Sequence, residues 1–482
     1  MRILFVTSEI YPLIKTGGLA DVSGSLPLAL RRLGIDARVL IPGYRSVLDQ
    51  LPHAVPVADF PPLPGSAHPS RLLSAVLAEH GLPLLLLDCP ALYDRPGGPY
   101  LTPEGHDWPD NVQRFGLLNQ VGALLAGPAT PLDWQPDIVH CNDWQSALIP
   151  ALLHHAQAAH ARTVVSVHNL AFQGNFDAHW ATRLGLPAAS FGINGVEFYG
   201  HFSFLKAGLY YADKITTVSR TYAAEIQTPE FGCGMQGLLQ TRRTDLHGIV
   251  NGIDTEWDPA GDRYLPHRYN RHALAGKAAD KQALQQELGL QSGTDAPLLG
   301  LVSRLTHQKG IDLVLDCAHE LLRDGVQLAV LGQGEAKLEK RLERLQHAHR
   351  GQVSVTTGYD EGLAHRIIAG SDIFLMPSRF EPCGLSQMYA MAYGTPPVVR
   401  RTGGLADTVT DCNDATLHDG SASGFSFEHA QRSELLHAVR RALACYRNPA
   451  TWQALQLNGM QRDFSWQHAA EQYLAVYRSA LA

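Results

Sequence analysis

The sequence predicts an α/β protein built from two doubly wound, Rossmann-like halves, and three observations lead to this class. The chain has 482 residues, more than a single hydrophobic core usually accommodates. Short apolar runs alternate with segments of helical spacing, as in βαβ units. The alternation restarts after a polar stretch at residues 291–297, so we expect a hinge within residues 251–269.

The first βαβ unit opens the chain. Ile3 to Val6 form a continuous apolar run, which suits a strand buried on both faces of a parallel sheet. Gly17 and Gly18 then precede apolar residues at helical spacing, namely Leu19, Val22, Leu26, Ala29, Leu30 and Leu33. Gly34 is a predicted C-terminal cap, and residues 37–41 form the next predicted strand.

Further strands are predicted at residues 84–87, 137–141, 163–167, 214–218 and 248–250, and in the second half at 298–303, 327–331, 353–356, 373–376 and 398–399. Polar residues follow several of them, where open α/β sheets bind ligands. We expect an N-terminal domain at residues 1–255 and a C-terminal domain at 256–460. Residues 461–482 are expected to form a helix that packs either on the C-terminal domain or, by crossing back, on the N-terminal domain.

Bulk composition narrows the function classes. A formal net charge of -7 argues against a protein that binds nucleic acid by bulk charge. The seven cysteines form no C-x-x-C pair, which disfavours a zinc site and suits a reducing compartment. The first residues run directly into a strand, and no apolar run is long enough to span a bilayer. We therefore expect a soluble, cytoplasmic protein without a membrane partner.

A seven-residue segment occurs nearly twice. Residues 15–21 are KTGGLAD and residues 401–407 are RTGGLAD. One interpretation is chance or shared helix-start chemistry. The other is that each half directs a glycine-rich helix start, including Thr402, Gly403 and Gly404, at a shared cleft that binds an anion. Neither segment matches the G-x-G-x-x-G or P-loop pattern, so a standard NAD site and a P-loop are both unsupported.

Two basic residues and a carboxylate follow predicted strands of the second half. Arg304 comes directly after the strand at 298–303, and Lys309 precedes the next predicted helix, so both can converge on one group. An arginine fork beside a lysine suits a diphosphate, although solvated surface charge is the alternative. Glu381 follows the strand at 373–376, either as a functional group or as a carboxylate that complements a helix dipole.

The first half offers fewer titratable candidates. His168 and Asn169 follow the strand at 163–167, and Asp143 follows the strand at 137–141. The chain has 23 histidines, so a structural role for His168 is the alternative. No Asp-x-Asp occurs, which counts against holding a nucleotide diphosphate on a metal ion. Basic residues, Lys15 among them, would then neutralise a leaving diphosphate.

Taken together, the motifs resemble the bacterial and plastid glycogen and starch synthases over essentially the whole chain. The matching segments are SEIYPLIKTGGLADV, LYDRPGGPY, HCNDWQSAL, VHNLAFQG, FLKAGLYYADKITTVS, TPEFGCGM, VNGIDTEWDP, SRLTHQKGIDL, GYDE, PSRFEPCGLSQMYAMAYGT and RRTGGLADTV. The resemblance implies a GT-B fold with two Rossmann-like domains facing a central cleft. It also implies retaining, metal-independent transfer of glucose from ADP-glucose to the non-reducing end of an α-1,4-glucan, glycogen or a maltooligosaccharide.

The resemblance also implies residue roles. It assigns the diphosphate to Lys15, Gly18, Arg304 and Lys309, with Gly17 and Asp21 beside them, and the adenine to Tyr359. It brings Asn251, Glu381, His168 and the backbone of Cys383, Gly384 and Leu385 to the transferred sugar and phosphate. It directs Tyr93, Asn169 and Asp143 towards the glucan. His168, Arg304, Lys309 and Glu381 are the predicted catalytic residues.

Two departures and several alternatives remain open. Many retaining GT-B enzymes carry a second glutamate where this chain has Tyr389, a difference shared with the synthases, and Cys141–Asn142 replace the frequent Ala-His. Retention can arise through a covalent intermediate or through same-face attack, with Glu381 as nucleophile or orienting group. The rival functions are a retaining transferase that uses UDP-glucose or a small acceptor, a non-catalytic glucan-binding protein, and a Rossmann dehydrogenase.

Overall fold

The chain folds as two compact units. The structure, a computed structural model, describes residues 1–78, 80–293 and 295–482. Domain 1 consists of Met1–Gly252 and Trp466–Ala482, and domain 2 of Ile253–Ser465. Each domain has its own mainly parallel sheet covered by helices, because the parallel strands are near-continuous apolar runs that must be buried on both faces.

Domain 1 contains a nine-stranded sheet and a small three-stranded sheet. In the large sheet the order is β12-β11-β7-β6-β1-β2-β5-β4-β3, parallel as far as β5 and antiparallel from β5 to β3. The strands in chain order are β1 (Arg2–Val6), β2 (Asp36–Pro42), β3 (Val55–Phe60), β4 (Ser70–Leu77), β5 (Leu82–Asp88), β6 (Ile138–Asn142), β7 (Arg162–Val167), β8 (Asn175–Phe176), β9 (Glu197–Phe198), β10 (His201–Ser203), β11 (Lys214–Thr217) and β12 (Leu246–Gly248).

The order in which successive strands are added to this sheet reverses at β1, in its centre. β1 pairs with β2 on one side and with β6 on the other, so the loop after β1 lies at a topological switch point. The helices of this first stretch are α1 (Gly18–Arg32), α2 (Arg45–Leu48), α3 (Pro90–Tyr93), α4 (Asn111–Ala126), α5 (Ile149–Ala156), α6 (Trp180–Arg183), α7 (Phe204–Tyr211), α8 (Arg220–Glu225) and α9 (Gln236–Thr241).

Domain 2 has one six-stranded parallel sheet in the order β15-β14-β13-β16-β17-β18. Its strands are β13 (Leu298–Val302), β14 (Gln327–Gly332), β15 (Val353–Thr357), β16 (Ile373–Met376), β17 (Pro397–Arg400) and β18 (Phe425–Phe427). The order reverses at β13, which brings the loops after β13 and β16 side by side. Its helices are α10 (Ala275–Glu287), α11 (Ile311–Arg323), α12 (Ala336–Ala348), α13 (Glu361–Gly370), α14 (Ser386–Ala392), α15 (Gly403–Thr408), α16 (Asp414–His418), α17 (Arg432–Tyr446) and α18 (Pro449–Met460).

The last helix, α19 (Trp466–Leu481), returns to domain 1. It packs on α1 and β7, and its Tyr473 and Tyr477 are fully buried. The Tyr477 hydroxyl lies 2.7 Å from Nδ1 of His140, a histidine in the middle of β6. α19 is therefore part of the core of domain 1. Among the described residues, no helix combines the length and apolar character needed to cross a membrane.

Candidate active site

The predicted site residues of domain 1 begin in the loop after β1, which a buried glutamate holds in place. Glu9 accepts hydrogen bonds from Thr16 Oγ1 at 2.6 Å, from the Gly17 amide at 3.3 Å and from the Tyr100 hydroxyl. Because the carboxylate of Glu9, near the start of this loop, binds Thr16 and Gly17 near its end and also a distant tyrosine, it holds the loop in place. Sequence reasoning missed Glu9, whose signal was a carboxylate only three residues beyond a buried strand.

Lys15, Gly17 and Gly18 surround the start of α1. Lys15 Nζ lies 2.7 Å from Oδ1 of Asp21 in the first turn of the helix. A Cβ atom added at Gly17 or Gly18 would meet nothing within 4 Å. The glycines therefore leave open space beside the backbone at a helix N-terminus, where N–H groups and the helix dipole favour an anion.

His168, Asn169 and Asp143 lie together at the carboxyl ends of β6 and β7. Asp143 has a φ of 53°, and its Oδ1 accepts a hydrogen bond from the His168 amide at 2.7 Å. Burial raises the pKa of Asp143 to about 7 and lowers the pKa of His168 to about 4. His168 is therefore a neutral imidazole near neutral pH. The Asn169 side chain accepts a hydrogen bond from the Ala171 amide.

Two further predicted residues of domain 1 are buried. Tyr93 is only 1% exposed, and its hydroxyl donates to the Arg114 carbonyl oxygen at 2.6 Å. The prediction that Tyr93 contacts a glucan is therefore corrected, because its packing leaves the ring no surface for a sugar. Asn251 is buried, and its Oδ1 has no hydrogen-bond partner within the described part of the chain.

In domain 2, Arg304 and Lys309 line one small cavity. Its volume is about 160 Å³, and it lies beyond the carboxyl ends of β13 and β16. The lining residues are Leu301, Val302, Ser303, Arg304, Lys309, Leu375, Met376, Ser378 and Ser386. Two cationic side chains and three serines therefore line one cavity at the switch point of the sheet.

Glu381 joins this cluster through its side chain. Lys309 Nζ lies 2.6 Å from Glu381 Oε2, and the Ser378 hydroxyl donates to the same oxygen at 2.9 Å. Glu381 is mostly buried, and so is the Lys309 ammonium group. Its other oxygen, Oε1, makes no hydrogen bond to any described residue, so it is available to accept one from a ligand.

The second glycine-rich segment packs tightly against the Glu381 loop. A Cβ atom at Gly403 would lie 2.0 Å from the Glu381 carbonyl oxygen, and one at Gly404 would lie 2.0 Å from the Cys383 carbonyl oxygen. The Gly404 amide donates to the Glu381 carbonyl oxygen at 3.1 Å. Thr402, Gly403 and Gly404 therefore position residues 381–385, which include Cys383, Gly384 and Leu385, before α14 begins at Ser386.

Tyr359 lies apart from these contacts, after β15. Its side chain is 78% exposed, and its hydroxyl donates to Glu361 at 2.9 Å. The large exposed ring can stack on a planar ligand. Across the described residues, no group of three or more His, Cys, Asp or Glu side chains is placed to hold a metal ion.

Comparisons with known proteins place this geometry in a family. A family profile described as "Starch synthase catalytic domain" matches residues 2–241, and one described as "Glycosyl transferases group 1" matches residues 284–454. A glycogen synthase from Nitrosospira multiformis is 52% identical over 100% of this chain and 97% of its own length. A glycogen synthase from Nitrosomonas eutropha is 54% identical, over 99% of this chain and 96% of its own.

Solved structures of other proteins are also similar to this chain over nearly its whole length. The catalytic domain of starch synthase IV from Arabidopsis thaliana, bound to ADP and acarbose, is 30% identical with a TM-score of 0.87, covering 100% of this chain and 99% of its own. A sucrose-phosphate synthase from Thermosynechococcus elongatus, 18% identical with a TM-score of 0.60, covers 99% of this chain and 98% of its own and shares the fold.

Two Rossmann-like domains of this kind define a GT-B glycosyltransferase, which confirms the predicted fold class. The glycogen synthases that match this chain over nearly its full length identify the family within that class. This chain belongs to the glycogen synthase family.

Proposed function

We propose that this chain transfers glucose from ADP-glucose to the non-reducing end of an α-1,4-glucan, with retention of configuration. The observation that carries the proposal is the pair of cations, Arg304 and Lys309, that line one cavity at the switch point of domain 2. Such a pair suits a nucleotide diphosphate, and the starch synthase IV relative was solved with ADP and acarbose.

The proposed chemistry requires charge stabilisation on the leaving group. As the glycosidic bond to phosphate breaks, negative charge grows on the diphosphate, and preorganised cations and helix starts stabilise it. Arg304 and Lys309 fill this role in domain 2, and Lys15 with the Gly17–Gly18 amides fills it in domain 1. Thr402, Gly403 and Gly404 act indirectly, by holding the Cys383–Leu385 backbone that faces the sugar and phosphate. Tyr359 stacks on the adenine.

Several polar side chains are assigned to the glucose itself. Glu381 Oε1 accepts from a glucose hydroxyl, because Oε2 is already bound by Lys309 and Ser378. His168 contacts the transferred glucose as a neutral ring, and Asn251 offers its unpaired Oδ1 to the sugar. Asn169 and Asp143 serve the glucan acceptor. The reaction needs no metal ion, because side-chain cations supply the charge.

Retention is proposed to follow same-face attack, with the departing phosphate taking the proton of the acceptor hydroxyl. The contacts of Glu381 support an orienting role over a nucleophilic one. An ammonium group and a hydroxyl stabilise its carboxylate, and a stabilised carboxylate is a weaker nucleophile. The seven free cysteines support a reducing, cytoplasmic location for this chemistry.

Radiolabelled glucose incorporation into glycogen tests the proposal. ADP-glucose and UDP-glucose are compared in parallel, each with excess chelator, and the linkage of the product is checked with α-specific glucan hydrolases. We expect rapid α-linked incorporation from ADP-glucose that chelator leaves unchanged. Equal or faster incorporation from UDP-glucose contradicts the proposed donor, and activity that returns only when Mg²⁺ or Mn²⁺ is restored contradicts metal independence.

A further inference from the structure

The environment of the His168 ring determines which of its two nitrogens carries the proton. His168 Nε2 lies 3.0 Å from Oδ1 of Asn142, the last residue of β6. Asn142 is fully buried, so its side-chain amide has to satisfy its hydrogen bonds within the protein. Which atom of that amide faces the histidine therefore decides the donor and the acceptor.

Backbone carbonyls fix the orientation of the Asn142 amide. Its Nδ2 donates to the carbonyl oxygen of Val6 at 3.1 Å and to that of His140 at 3.3 Å. Carbonyl oxygens only accept, so the amide nitrogen must point towards them and Oδ1 must point towards the histidine. The backbone N–H of Asn142 donates to Ser146 Oγ at 2.6 Å, which holds the residue in place.

With Asn142 Oδ1 as an acceptor beside Nε2, only one neutral tautomer of His168 is compatible with the structure. Since Oδ1 of Asn142 can only accept, Nε2 of His168 must be the nitrogen that carries the proton. Nδ1 then keeps its lone pair, and it makes no hydrogen bond to any residue that the structure describes. The alternative tautomer would set two lone pairs against each other at 3.0 Å.

We propose that Asn142 is a positioning residue that holds His168 in the Nε2–H form, so that Nδ1 is an acceptor for a sugar hydroxyl. The second half of this statement rests on the proposed function, because only a polyhydroxylated substrate supplies that hydroxyl. Asn142 acts through His168 and does not itself touch the sugar.

Among the residues that the structure describes, the titratable groups around His168 make no hydrogen bond to its ring, so they do not set its tautomer. On β6, His140 is itself buried and hydrogen-bonded to Tyr477 and Ser166. Asp143 binds the backbone amide of His168, not the ring, and Glu9 lies near Asp143. From α8, the Tyr222 hydroxyl accepts from the Leu170 amide. Asn142 is thus the side chain that hydrogen-bonds the ring, and burial keeps the ring uncharged by lowering its pKa.

The first test observes the tautomer directly in the unaltered full-length chain. Enzyme labelled with ¹⁵N-histidine gives long-range ¹H–¹⁵N correlations that distinguish a protonated from an unprotonated ring nitrogen. The His168 signals are assigned as those lost in His168→Gln. We expect Nε2 protonated and Nδ1 unprotonated at pH 7.5. A protonated Nδ1, or a mixture of tautomers, overturns the proposal.

The second test replaces the neutral acceptor with a charged one. In Asn142→Asp a carboxylate faces Nε2, and a carboxylate at this distance raises a histidine pKa by about one to three units. The acid limb of the kcat/KM profile moves to higher pH by the same interval. Asn111→Asp is the matched control, because it adds a buried carboxylate in domain 1 beside Arg114 instead of His168. An unmoved His168 titration in Asn142→Asp overturns the proposal.

The two proposals fail separately. A chain with Nε2–H on His168 that incorporates no glucose refutes the proposed function and leaves the tautomer assignment standing. A chain that incorporates glucose from ADP-glucose but protonates Nδ1 refutes the role of Asn142 alone. If Asn142→Asp does not fold, the tautomer measurement on the unaltered chain still decides the matter.

Discussion

Lys309 Nζ forms a short ion pair with Glu381 Oε2, at 2.6 Å. If it stabilises the leaving diphosphate, Lys309→Ala removes a charge-assisted contact that strengthens as the bond breaks. Such contacts contribute about 3–4 kcal/mol at oxyanion-type sites, so we expect kcat to fall roughly a hundred- to thousand-fold. Steady-state kinetics with ADP-glucose measures the loss, which falls on kcat more than on the donor KM.

A surface lysine of the same domain provides the control for this variant. Lys337 is exposed on α12, so Lys337→Ala is expected to retain the unaltered kcat and KM. Because Lys309→Ala also leaves Glu381 without its cation, thermal unfolding must show that the variant is folded at the assay temperature. A folded Lys309→Ala with unaltered kcat and KM shows that the assignment of the site in domain 2 is wrong.

Glu381→Ala separates an orienting carboxylate from a nucleophile. An orienting glutamate leaves slow but measurable synthesis with retained configuration, because the reacting bonds do not involve it. An obligatory nucleophile leaves almost none. Added azide gives a further readout: β-configured glucosyl azide from Glu381→Ala indicates a covalent intermediate, and its absence together with slow retaining synthesis supports same-face attack.

His140 makes the stability of domain 1 depend on pH. Burial, with a smaller contribution from nearby His168, lowers its pKa to about 3, whereas an unfolded histidine titrates near pH 6.5. Below about pH 6.5 the unfolded chain therefore binds a proton that the folded chain rejects, and the free energy of unfolding falls by about 1.4 kcal/mol per pH unit. The contribution is fully present above pH 6.5 and lost as pH falls towards 3.

Urea unfolding at several pH values between 4 and 6.5 measures this slope. In His140→Gln the slope should be smaller by about 1.4 kcal/mol per pH unit, whatever the other groups contribute. The glutamine variant is also less stable near neutral pH, because it disturbs the hydrogen bonds to Tyr477 and Ser166. An unchanged slope shows that His140 does not titrate in this way.

Functional residues at strand ends could be predicted where their position in the sequence alone indicated the site. Arg304, Lys309 and Glu381 were selected because they follow strands, and the structure gathers them in domain 2. Tyr93 was misassigned because its burial depends on Arg114, more than twenty positions along the chain. The hydrogen bonds from Tyr100 to Glu9 and from Asn142 to the Val6 carbonyl oxygen were missed for the same reason, since each joins distant segments.

At the scale of elements, the near-repeat KTGGLAD and RTGGLAD has two different structural settings. Gly17 has open space, whereas a Cβ at Gly404 would lie 2.0 Å from the Cys383 carbonyl oxygen. We expect Gly404→Ala to destabilise domain 2 by about 1–3 kcal/mol, because backbone must move to accommodate the methyl group. Gly17→Ala should change stability by no more than about 0.5 kcal/mol, since nothing opposes its methyl group.

Thermal unfolding and kinetics of the two variants form a matched pair. Gly17→Ala keeps the unaltered Tm but is expected to raise the KM for ADP-glucose, because its methyl group occupies the space beside the helix start. Gly404→Ala lowers Tm and disturbs the Glu381 loop. Equal stability losses in the two variants contradict the difference in packing.

Strands with continuous apolar runs were predicted well, because burial on both faces imposes that pattern. β16 begins and ends at the predicted residues, and β1 differs by one residue. The strand predicted at 248–250 lies two residues earlier in the structure, as β12. β3 and β4 were missed because β3 is mostly exposed and β4 mixes buried and exposed residues, so neither strand is a continuous apolar run.

At the scale of the whole molecule, α19 ties the last residues of the sequence to domain 1. Deleting residues 466–482 removes the buried Tyr473 and Tyr477 and leaves His140 Nδ1 without its partner. We expect faster hydrogen exchange in α1 and β7, measured by mass spectrometry, because these elements lose a packed helix. Domain 2 should exchange at its unaltered rate.

Tyr477→Phe is the mild counterpart of this deletion. It removes one hydroxyl while keeping the ring, so it should cost about 1–3 kcal/mol by leaving the buried His140 nitrogen unpaired. Exchange that accelerates equally in both domains after either change contradicts the assignment of α19 to domain 1.

The return of α19 also bears on how the protein is made. Residues 253–465 leave the ribosome before residues 466–482, so domain 2 is complete while domain 1 still lacks one helix of its core. Domains usually fold in the order of their synthesis, but here the first domain begun is the last one finished. Throughout elongation the nascent chain thus exposes the apolar surfaces of α1 and β7 that α19 will cover, which makes this stage the one at which a chaperone is most useful.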